Sequence, residues 1–195
     1  MIDIVSEKLL EEYDIEKTLL ELNIDKLYVC RTIDKKEELS GFTLPIFEKV
    51  CLNKSYLLKS PVLLSSVKEK GVLTLIAGGS LNANAAALTS KADASLFNPI
   101  GSELCFDEGL AELARQNKKT IYFNVNEIRV NQHKAIKQMQ FIIPLLKSKG
   151  IEMRFVTFAK KVNELVDQTI LECFLENFWL EKTTSARFLE GGSIK

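Results

Sequence analysis

The 195-residue sequence contains a single histidine, His133, and no cysteine pair with CxxC spacing. Enzymes of alternating strands and helices that hydrolyse phosphate esters or amides usually hold their metals with several histidines at strand ends. The four cysteines, Cys30, Cys51, Cys105 and Cys173, are too far apart to replace the missing histidines. Dispersed cysteines with apolar neighbours are typical of small core side chains. The sequence therefore predicts no metal site.

A membrane span, a signal peptide and a net charge are also lacking. No apolar run reaches the roughly 18 to 20 residues needed to cross a bilayer, and the N-terminal residues lack the cationic and apolar parts of a signal peptide. The expected location is the cytoplasm, away from membranes. The formal net charge is zero, but residues 1–50 carry 7 Lys/Arg against 12 Asp/Glu, and residues 51–195 carry 19 against 14. This asymmetry either orients the molecule against a polyanion or reflects ordinary solvated surfaces.

Short apolar runs alternate with helical patterns along the chain. The strand candidates lie near Ile2–Val5, Lys26–Arg31, Ser55–Leu58, Val72–Ala77, Ala94–Phe97, Thr120–Val125, Glu152–Phe158 and Ser185–Leu189. The helix candidates lie at about 7–22, 35–50, 62–70, 82–90, 106–118, 132–149 and 161–179. Several strands lack polar alternation, which is typical of a parallel sheet buried on both faces. About eight strands and seven helices predict an α/β fold, a compact TIM-like (β/α) barrel, as a single domain over residues 1–195 with a frayed tail at 191–195.

A turn with two glycines, Ala77-Gly78-Gly79-Ser80-Leu81-Asn82, follows one predicted strand and precedes a helix. Its backbone amides are a candidate phosphate site formed by Gly78, Gly79, Ser80 and Asn82. The alternative is a tight strand-to-helix turn in which glycine supplies a positive φ and Ser80 or Asn82 caps the helix. The spacing matches neither the P-loop nor the dinucleotide-binding motif.

Polar and basic residues follow other predicted strands. Asn98, Asn124 and Asn126 lie at or just after strand carboxyl ends, where barrel proteins place their sites. No carboxylate pair and no nucleophile with a base joins them, so no catalytic residue is predicted. His133 is expected to face solvent near a helix start, or to contact RNA or a partner.

Seven basic residues at strand ends or in loops are candidate RNA contacts if they cluster in space, and ordinary solubilising charges if they are scattered. They are Arg31, Lys118, Lys119, Arg129, Lys160, Lys161 and Arg187.

Five segments carry a resemblance to a known family through their order and spacing. They are Ile76–Asn82, Ala92–Pro99, Asp107–Ala114, Ile121–Asn126 and Phe155–Ala159. Over residues 72–189 the sequence resembles the archaeal and eukaryotic ribonuclease P protein component 3 family, whose barrel is related to the polymerase-and-histidinol-phosphatase type.

The resemblance implies a non-catalytic subunit of ribonuclease P, the enzyme that removes 5′ leaders from precursor tRNA. In that family the RNA subunit performs the cleavage with magnesium, so the chain itself is expected to bind no cofactor. The implied partners are ribonuclease P RNA, precursor tRNA and a small ferredoxin-like protein subunit. Two alternatives stay open: a small phosphate-binding barrel enzyme that uses Gly78 and Gly79, and a metal-dependent phosphoesterase of the polymerase-and-histidinol-phosphatase type.

Overall fold

The structure, a computed structural model, describes residues 2–12, 14–90 and 94–166. Seven strands and five α-helices lie within these ranges. The strands are β1 (Ile2–Ser6), β2 (Lys26–Ile33), β3 (Cys51–Leu58), β4 (Leu73–Ala77), β5 (Ala94–Phe97), β6 (Ile121–Asn124) and β7 (Met153–Val156). The α-helices are α1 (Ile15–Glu21), α2 (Leu81–Thr89), α3 (Glu108–Gln116), α4 (Val125–Val130) and α5 (Gln132–Ser148). Short 3-10 helices occupy Glu7–Glu11, Lys36–Leu39, Pro61–Ser66 and Val162–Glu164.

The strands follow one another in chain order, from β1 to β7. The pairs β1–β2, β3–β4, β4–β5, β5–β6 and β6–β7 are all parallel. Parallel neighbours need a connection that returns the chain to the starting edge of the sheet, and such connections are usually helical. This is the α/β topology of a TIM-like barrel, as predicted from the sequence. The described residues contain seven strands rather than about eight, since the predicted strand Ser185–Leu189 and the tail at 191–195 lie outside them.

The chain divides into two compact units, and the prediction of a single domain stays a prediction. Unit 1 contains the described residues of 1–30, 44–54 and 157–195, and unit 2 contains residues 31–43 and 55–156. Within unit 1, the segment that follows β7 in the sequence hydrogen bonds to β1. The backbone N–H of Phe158 donates to Ile4 O (2.8 Å), and that of Ser6 donates to Ala159 O (2.9 Å).

The core of unit 2 lies between its strands and helices. All four residues of β5 are buried, as expected for a strand covered on both faces. The rings of Phe123 in β6 and Phe155 in β7 stack with their centroids 5.1 Å apart. Helix α5 buries an apolar stripe with helical spacing that includes Met139, Ile142 and Leu146.

Three helix predictions are corrected by the structure. The segment predicted as a helix at 35–50 contains only the 3-10 helix Lys36–Leu39. Gly41 then adopts a φ of +72°, and Pro45 lacks an N–H and disfavours a helical conformation at the residue before it. The helix predicted at 62–70 is the 3-10 helix Pro61–Ser66, and the one predicted at 7–22 is a 3-10 helix followed by α1.

At the chain's later end, the helix predicted at 161–179 is described only to residue 166, where the 3-10 helix Val162–Glu164 occupies its start. Helix α4, which lies between the strand β6 and the predicted helix at 132–149, was not expected from the sequence. No helix among the described residues is long and apolar enough to cross a membrane.

Candidate nucleic-acid interface

A cavity of about 440 Å³ opens in unit 2 at the carboxyl ends of β3, β4 and β5. Leu57, Ala77 and Phe97, at or near the last residues of these strands, line it, together with Ile128 of α4 and Lys134 of α5. Barrel proteins place their binding sites at this edge of the sheet, where the loops after the strands are free to vary. We refer to this space as the β3–β5 cavity.

The Gly78-Gly79 turn lies at the cavity, but its amides already have acceptors within the chain. The Gly78 N–H donates to Phe97 O (2.7 Å), and the Gly79 N–H donates to Asn84 Oδ1 (3.1 Å). The Ser80 hydroxyl accepts from the N–H of Ala83 (3.2 Å) and caps α2. The structure therefore favours the strand-to-helix turn over the phosphate cradle for Gly78, Gly79 and Ser80. Asn82 is exposed in the first turn of α2.

Glycine is required at this turn for two reasons. Gly79 has a φ of +105°, which side-chain-bearing residues rarely adopt. At Gly78, an added Cβ would lie 2.8 Å from Asn98 O and 2.9 Å from Leu96 Cδ1. The two glycines thus allow the loops that follow β4 and β5 to pack closely together.

Two buried amides hold the loop after β5 in place. The Asn84 side chain of α2 donates to Pro99 O (3.3 Å) and to Cys105 O (2.7 Å). The Gln138 side chain of α5 accepts from the Gly101 N–H (3.2 Å) and donates to Gly101 O (2.8 Å). Both side chains are buried, and they provide hydrogen-bond partners for backbone groups of a loop that forms no strand pairs. Sequence reasoning missed both residues, although a lone glutamine within the apolar stripe of α5 was a visible signal.

Asn98 occupies a strained and incompletely satisfied position at the cavity. It has a φ of +52° and is 8% exposed. Its Nδ2 donates to Glu127 Oε2 (2.7 Å), whereas its buried Oδ1 has no hydrogen-bond partner among the described residues. A buried acceptor without a donor costs about 1–3 kcal/mol, and strained residues with unmet hydrogen bonds cluster at functional sites. The sequence placed Asn98 at a strand end but did not predict its partner Glu127.

The two other predicted asparagines have local roles. Asn124 caps α4, since its Oδ1 accepts from the N–H groups of Asn126 (3.1 Å) and Glu127 (3.4 Å). Asn126 Oδ1 accepts from the guanidinium of Arg129 (3.2 Å). Arg129 is exposed on α4, which follows the carboxyl end of β6 and so lies at the same edge of the sheet as the cavity.

Helix α5 presents a basic face that sequence reasoning did not recognise. No Asp or Glu occurs between Glu127 and Glu152, and α5 exposes His133, Lys134, Lys137 and, one turn later, Phe141. These four residues follow the three- and four-residue spacing of one helix surface, and we call them the basic face of α5. Lys134 and Lys137 form no ion pair with any described residue. Basic side chains next to an exposed aromatic ring are typical of surfaces that bind single-stranded RNA.

Lys119 does not belong to the candidate RNA contacts. Its side chain is buried, and its ammonium donates to Ser90 Oγ (3.1 Å) and Ala94 O (2.9 Å) inside unit 2. Lys118 is exposed, but it precedes β6 and therefore lies at the amino ends of the strands. The pair thus lies at the edge of the sheet opposite to the β3–β5 cavity, because the strands are parallel.

The remaining predicted contacts are distributed between the units. Arg31 is half-buried in unit 2, where its guanidinium lies 4.5 Å from the centre of the Phe42 ring and donates to Ser40 O (3.4 Å). Lys160 and Lys161 are both exposed in unit 1. Arg187 lies outside the described residues.

The described side chains of the types that bind metals do not cluster. Among residues 2–12, 14–90 and 94–166, no three His, Cys, Asp or Glu side chains come together in a group that could hold a metal ion. Cys30 and Cys105 are buried as predicted, and burial raises the pKa of the Cys105 thiol. Cys51 is exposed at the first residue of β3, which corrects its prediction as a core residue, and Cys173 lies outside the described residues.

Comparisons with known proteins give a match among solved structures. No protein-family model matches the chain. No curated protein matches it either. Among solved structures, the chain matches part of a cryo-EM structure of archaeal ribonuclease P with mature tRNA, over 97% of this chain and 87% of that chain, with a TM-score of 0.79 and 21% sequence identity. The resemblance to a ribonuclease P protein that the sequence predicts is therefore confirmed at the level of the fold.

Proposed function

We propose that this chain is a non-catalytic protein subunit of ribonuclease P, which supports RNA-catalysed removal of 5′ leaders from precursor tRNA. The observation that carries the proposal is the fold match to archaeal ribonuclease P, which extends over nearly the whole chain. The sequence resemblance to the same family, over residues 72–189, supports it independently of the coordinates.

The basic face of α5 is the RNA contact that the geometry favours. Lys134 and Lys137 lie one turn apart on the exposed face of α5, a helix that carries no acidic residue. Lysine side chains that neutralise phosphates release condensed counterions, so they contribute affinity without reading sequence. Arg129 on the preceding helix extends the positive charge at the same edge of the sheet.

The role proposed for the chain is to hold RNA helices in the arrangement that the catalytic RNA needs. Magnesium acts through the RNA subunit, and a small ferredoxin-like protein subunit is the proposed protein partner. Arg31, Lys118, Lys160 and Lys161 are secondary candidates for phosphate contacts.

Reconstitution tests the proposed function. The chain is added to ribonuclease P RNA, with and without the partner subunit, and precursor tRNA cleavage is measured at low magnesium. We expect cleavage to be stimulated, since protein cations replace part of the magnesium that folds the RNA. The absence of stimulation over a range of salt concentrations contradicts the proposal.

Charge-neutralising variants test the RNA contact. The double variant Lys134→Gln/Lys137→Gln is compared with Lys68→Gln/Lys70→Gln, which removes two exposed lysines elsewhere in unit 2. Each lost phosphate contact lowers the slope of log affinity against log salt by about 0.7 to 0.9, so the first variant should lose about 1.5 in slope and roughly tenfold in affinity near physiological salt. The measurement is a filter-binding titration of ribonuclease P RNA at several salt concentrations. Equal losses in the two variants contradict a specific role for α5.

The second candidate function is a small phosphate-binding barrel enzyme, for which the β3–β5 cavity offers space. The amides of Gly78 and Gly79 argue against it because both already donate within the chain. A rise in melting temperature on addition of a phosphosugar would favour this candidate.

A further inference from the structure

We propose that the β3–β5 cavity receives one unpaired guanine base of the bound RNA. This inference rests on the proposed function, because it assigns a base-reading pocket to a chain proposed to bind RNA. The carboxylate of Glu127 and the Oδ1 of Asn98 would accept hydrogen bonds from the guanine, and Lys134 at the edge of the cavity would contact the adjoining phosphate.

The position of the cavity connects it to the RNA-binding surface. Lys134 belongs to the basic face of α5 and also lines the cavity. A strand of RNA held by Lys134 and Lys137 therefore passes the opening, where a base can turn out of the stack. Sequence-specific RNA recognition mostly uses unpaired bases that are splayed out in this way.

The available hydrogen-bonding groups of the cavity are acceptors, so they favour a ligand with hydrogen-bond donors. The N–H groups of Gly78, Gly79 and Gly101 all donate to oxygen atoms of the chain. Asn98 Oδ1 has no donor among the described residues, and the two oxygens of the Glu127 carboxylate, one of which accepts from Asn98 Nδ2, offer several lone pairs to donors. An anionic group is disfavoured there, since it would face the carboxylate.

Access to Asn98 Oδ1 requires a rotation of the Asn98 amide. The atom is buried beneath the surface of the cavity. The χ2 torsion of asparagine has broad minima, so the amide can turn its oxygen toward a ligand. The turn gives up the Nδ2 hydrogen bond to Glu127 Oε2, and the ligand's donors replace that bond on the carboxylate. A ligand donor would then satisfy an atom that is otherwise buried without a partner, and this gain is available only when the cavity is filled.

The walls and size of the cavity suit a flat aromatic ring. Leu57, Phe97, Ile100 and Ile128 contribute apolar surface. The volume of about 440 Å³ lies in the range of small-molecule pockets. Guanine presents two adjacent donors, N1–H and the exocyclic amino group, which match the Glu127 carboxylate and, once the amide has turned, the Asn98 oxygen. Uracil presents one N–H between two carbonyl oxygens, and those oxygens would face the carboxylate.

The test measures base preference with the full chain. Fluorescence anisotropy gives the affinity for oligo-uridine RNAs that carry a single central G, A, C or U. The wild-type chain should bind the central-G RNA about tenfold more tightly than the central-U RNA, the discrimination expected of a good bidentate contact. Glu127→Gln and Asn98→Gly should bring the two affinities within about twofold of each other. Glycine at position 98 tolerates the positive φ, so this variant removes the amide without adding backbone strain.

Lys134→Gln is the matched control, because it should weaken binding to all four RNAs by a similar factor and keep the preference for G. A wild-type chain that binds RNA with no base preference, or a preference that survives Glu127→Gln, overturns the inference and leaves the proposed function standing. A chain that binds neither these RNAs nor ribonuclease P RNA overturns both. Loss of partner-subunit binding in Glu127→Gln, with RNA binding unchanged, would show that the cavity holds a protein side chain instead and would also overturn the inference.

Discussion

The buried carboxylate of Asp3 offers the sharpest test of the energetics of unit 1. Asp3 lies in β1 and is 3% exposed. Its Oδ1 accepts from the N–H groups of Ile4 (2.7 Å) and Thr157 (2.9 Å), and its Oδ2 accepts from the Thr157 hydroxyl (2.5 Å). The side chain thus joins the first strand to a segment more than 150 residues later in the sequence. Burial raises the pKa of Asp3 above its ordinary value, and the hydrogen bonds from Thr157 and Ile4 offset part of that rise.

Two substitutions separate the contribution of the Asp3 hydrogen bonds to stability from the contribution of its charge. Asp3→Ala leaves two backbone N–H groups buried without acceptors, at about 1–3 kcal/mol each, so it should lower the free energy of unfolding by about 3 kcal/mol. That is a large fraction of the 5–15 kcal/mol that is typical of a folded domain. Asp3→Asn has nearly the same shape and keeps Oδ1 as the acceptor of both N–H groups. Its amide can donate to the Thr157 hydroxyl, so it should cost about 1 kcal/mol or less.

The pH dependence follows from the direction of the pKa shift. Because the folded-state pKa of Asp3 lies above its ordinary value of 3.8, the folded chain binds this proton more tightly than the unfolded chain does. The contribution of Asp3 to stability is therefore largest below that value and is lost as the pH rises through the folded-state pKa. Asp3→Asn carries no such proton, so its stability relative to the wild type should increase over the same pH window.

Urea unfolding of the wild type and both variants, measured at several pH values, provides the assay. At each pH, the free energy of unfolding of the wild type is subtracted from that of Asp3→Asn. This subtraction cancels the contributions of the other titrating groups, which the two proteins share. A stability difference that moves in favour of the wild type as the pH rises would show that the hydrogen bonds outweigh burial and would refute the reasoning. A loss below about 1 kcal/mol in Asp3→Ala would refute the structural role of the carboxylate.

Two further predictions concern unit 2. Gly78→Ala should destabilise the chain by about 1–3 kcal/mol, since the new Cβ would lie 2.8 Å from Asn98 O. Gly109→Ala, in α3 with no neighbour nearer than 3.4 Å, should instead leave the melting temperature unchanged or raise it, and equal effects would contradict the packing argument. Lys119→Met should lower the melting temperature without changing RNA affinity, because its ammonium donates to two oxygen atoms inside the unit. Lys118→Met should leave the melting temperature unchanged, and a thermal melt of both variants with an RNA titration provides the measurement.

The strand pattern could be predicted from the sequence because it depends on local composition. Apolar runs such as Ala94–Phe97 must be covered on both faces, and this requirement indicates a parallel sheet before any contact is known. The glycine turn was also predictable as a turn, since Gly78-Gly79 and the capping Ser80 act through neighbouring residues. The segment at 35–50 shows the limit of this reasoning. The sequence pattern predicts a helix there, although Gly41 and Pro45 oppose one.

The candidate site was predicted less well, because its residues are far apart in the sequence. Asn98 and Glu127 are 29 residues apart and meet through one hydrogen bond. Gln138 reaches Gly101 across 37 residues. Nothing in the local sequence around any of these residues identifies its partner. The basic face of α5 is different, because both the absence of acidic residues between Glu127 and Glu152 and the helical spacing of the basic residues can be recognised in the sequence.

The two adjacent lysines show what each level of structure decides. Composition and periodicity determined the α/β class, the succession of strands, and the helix α5 with its buried stripe, because hydrophobic burial constrains every residue of a regular element. Lys118 and Lys119 have the same chemistry and are neighbours in the sequence, yet one is exposed and the other is buried. Only the packing of residues 90 and 94 against Lys119 decided which of them can meet a phosphate. The accessibility of a side chain depends on the folded surroundings of its end group, and those surroundings come from distant parts of the chain.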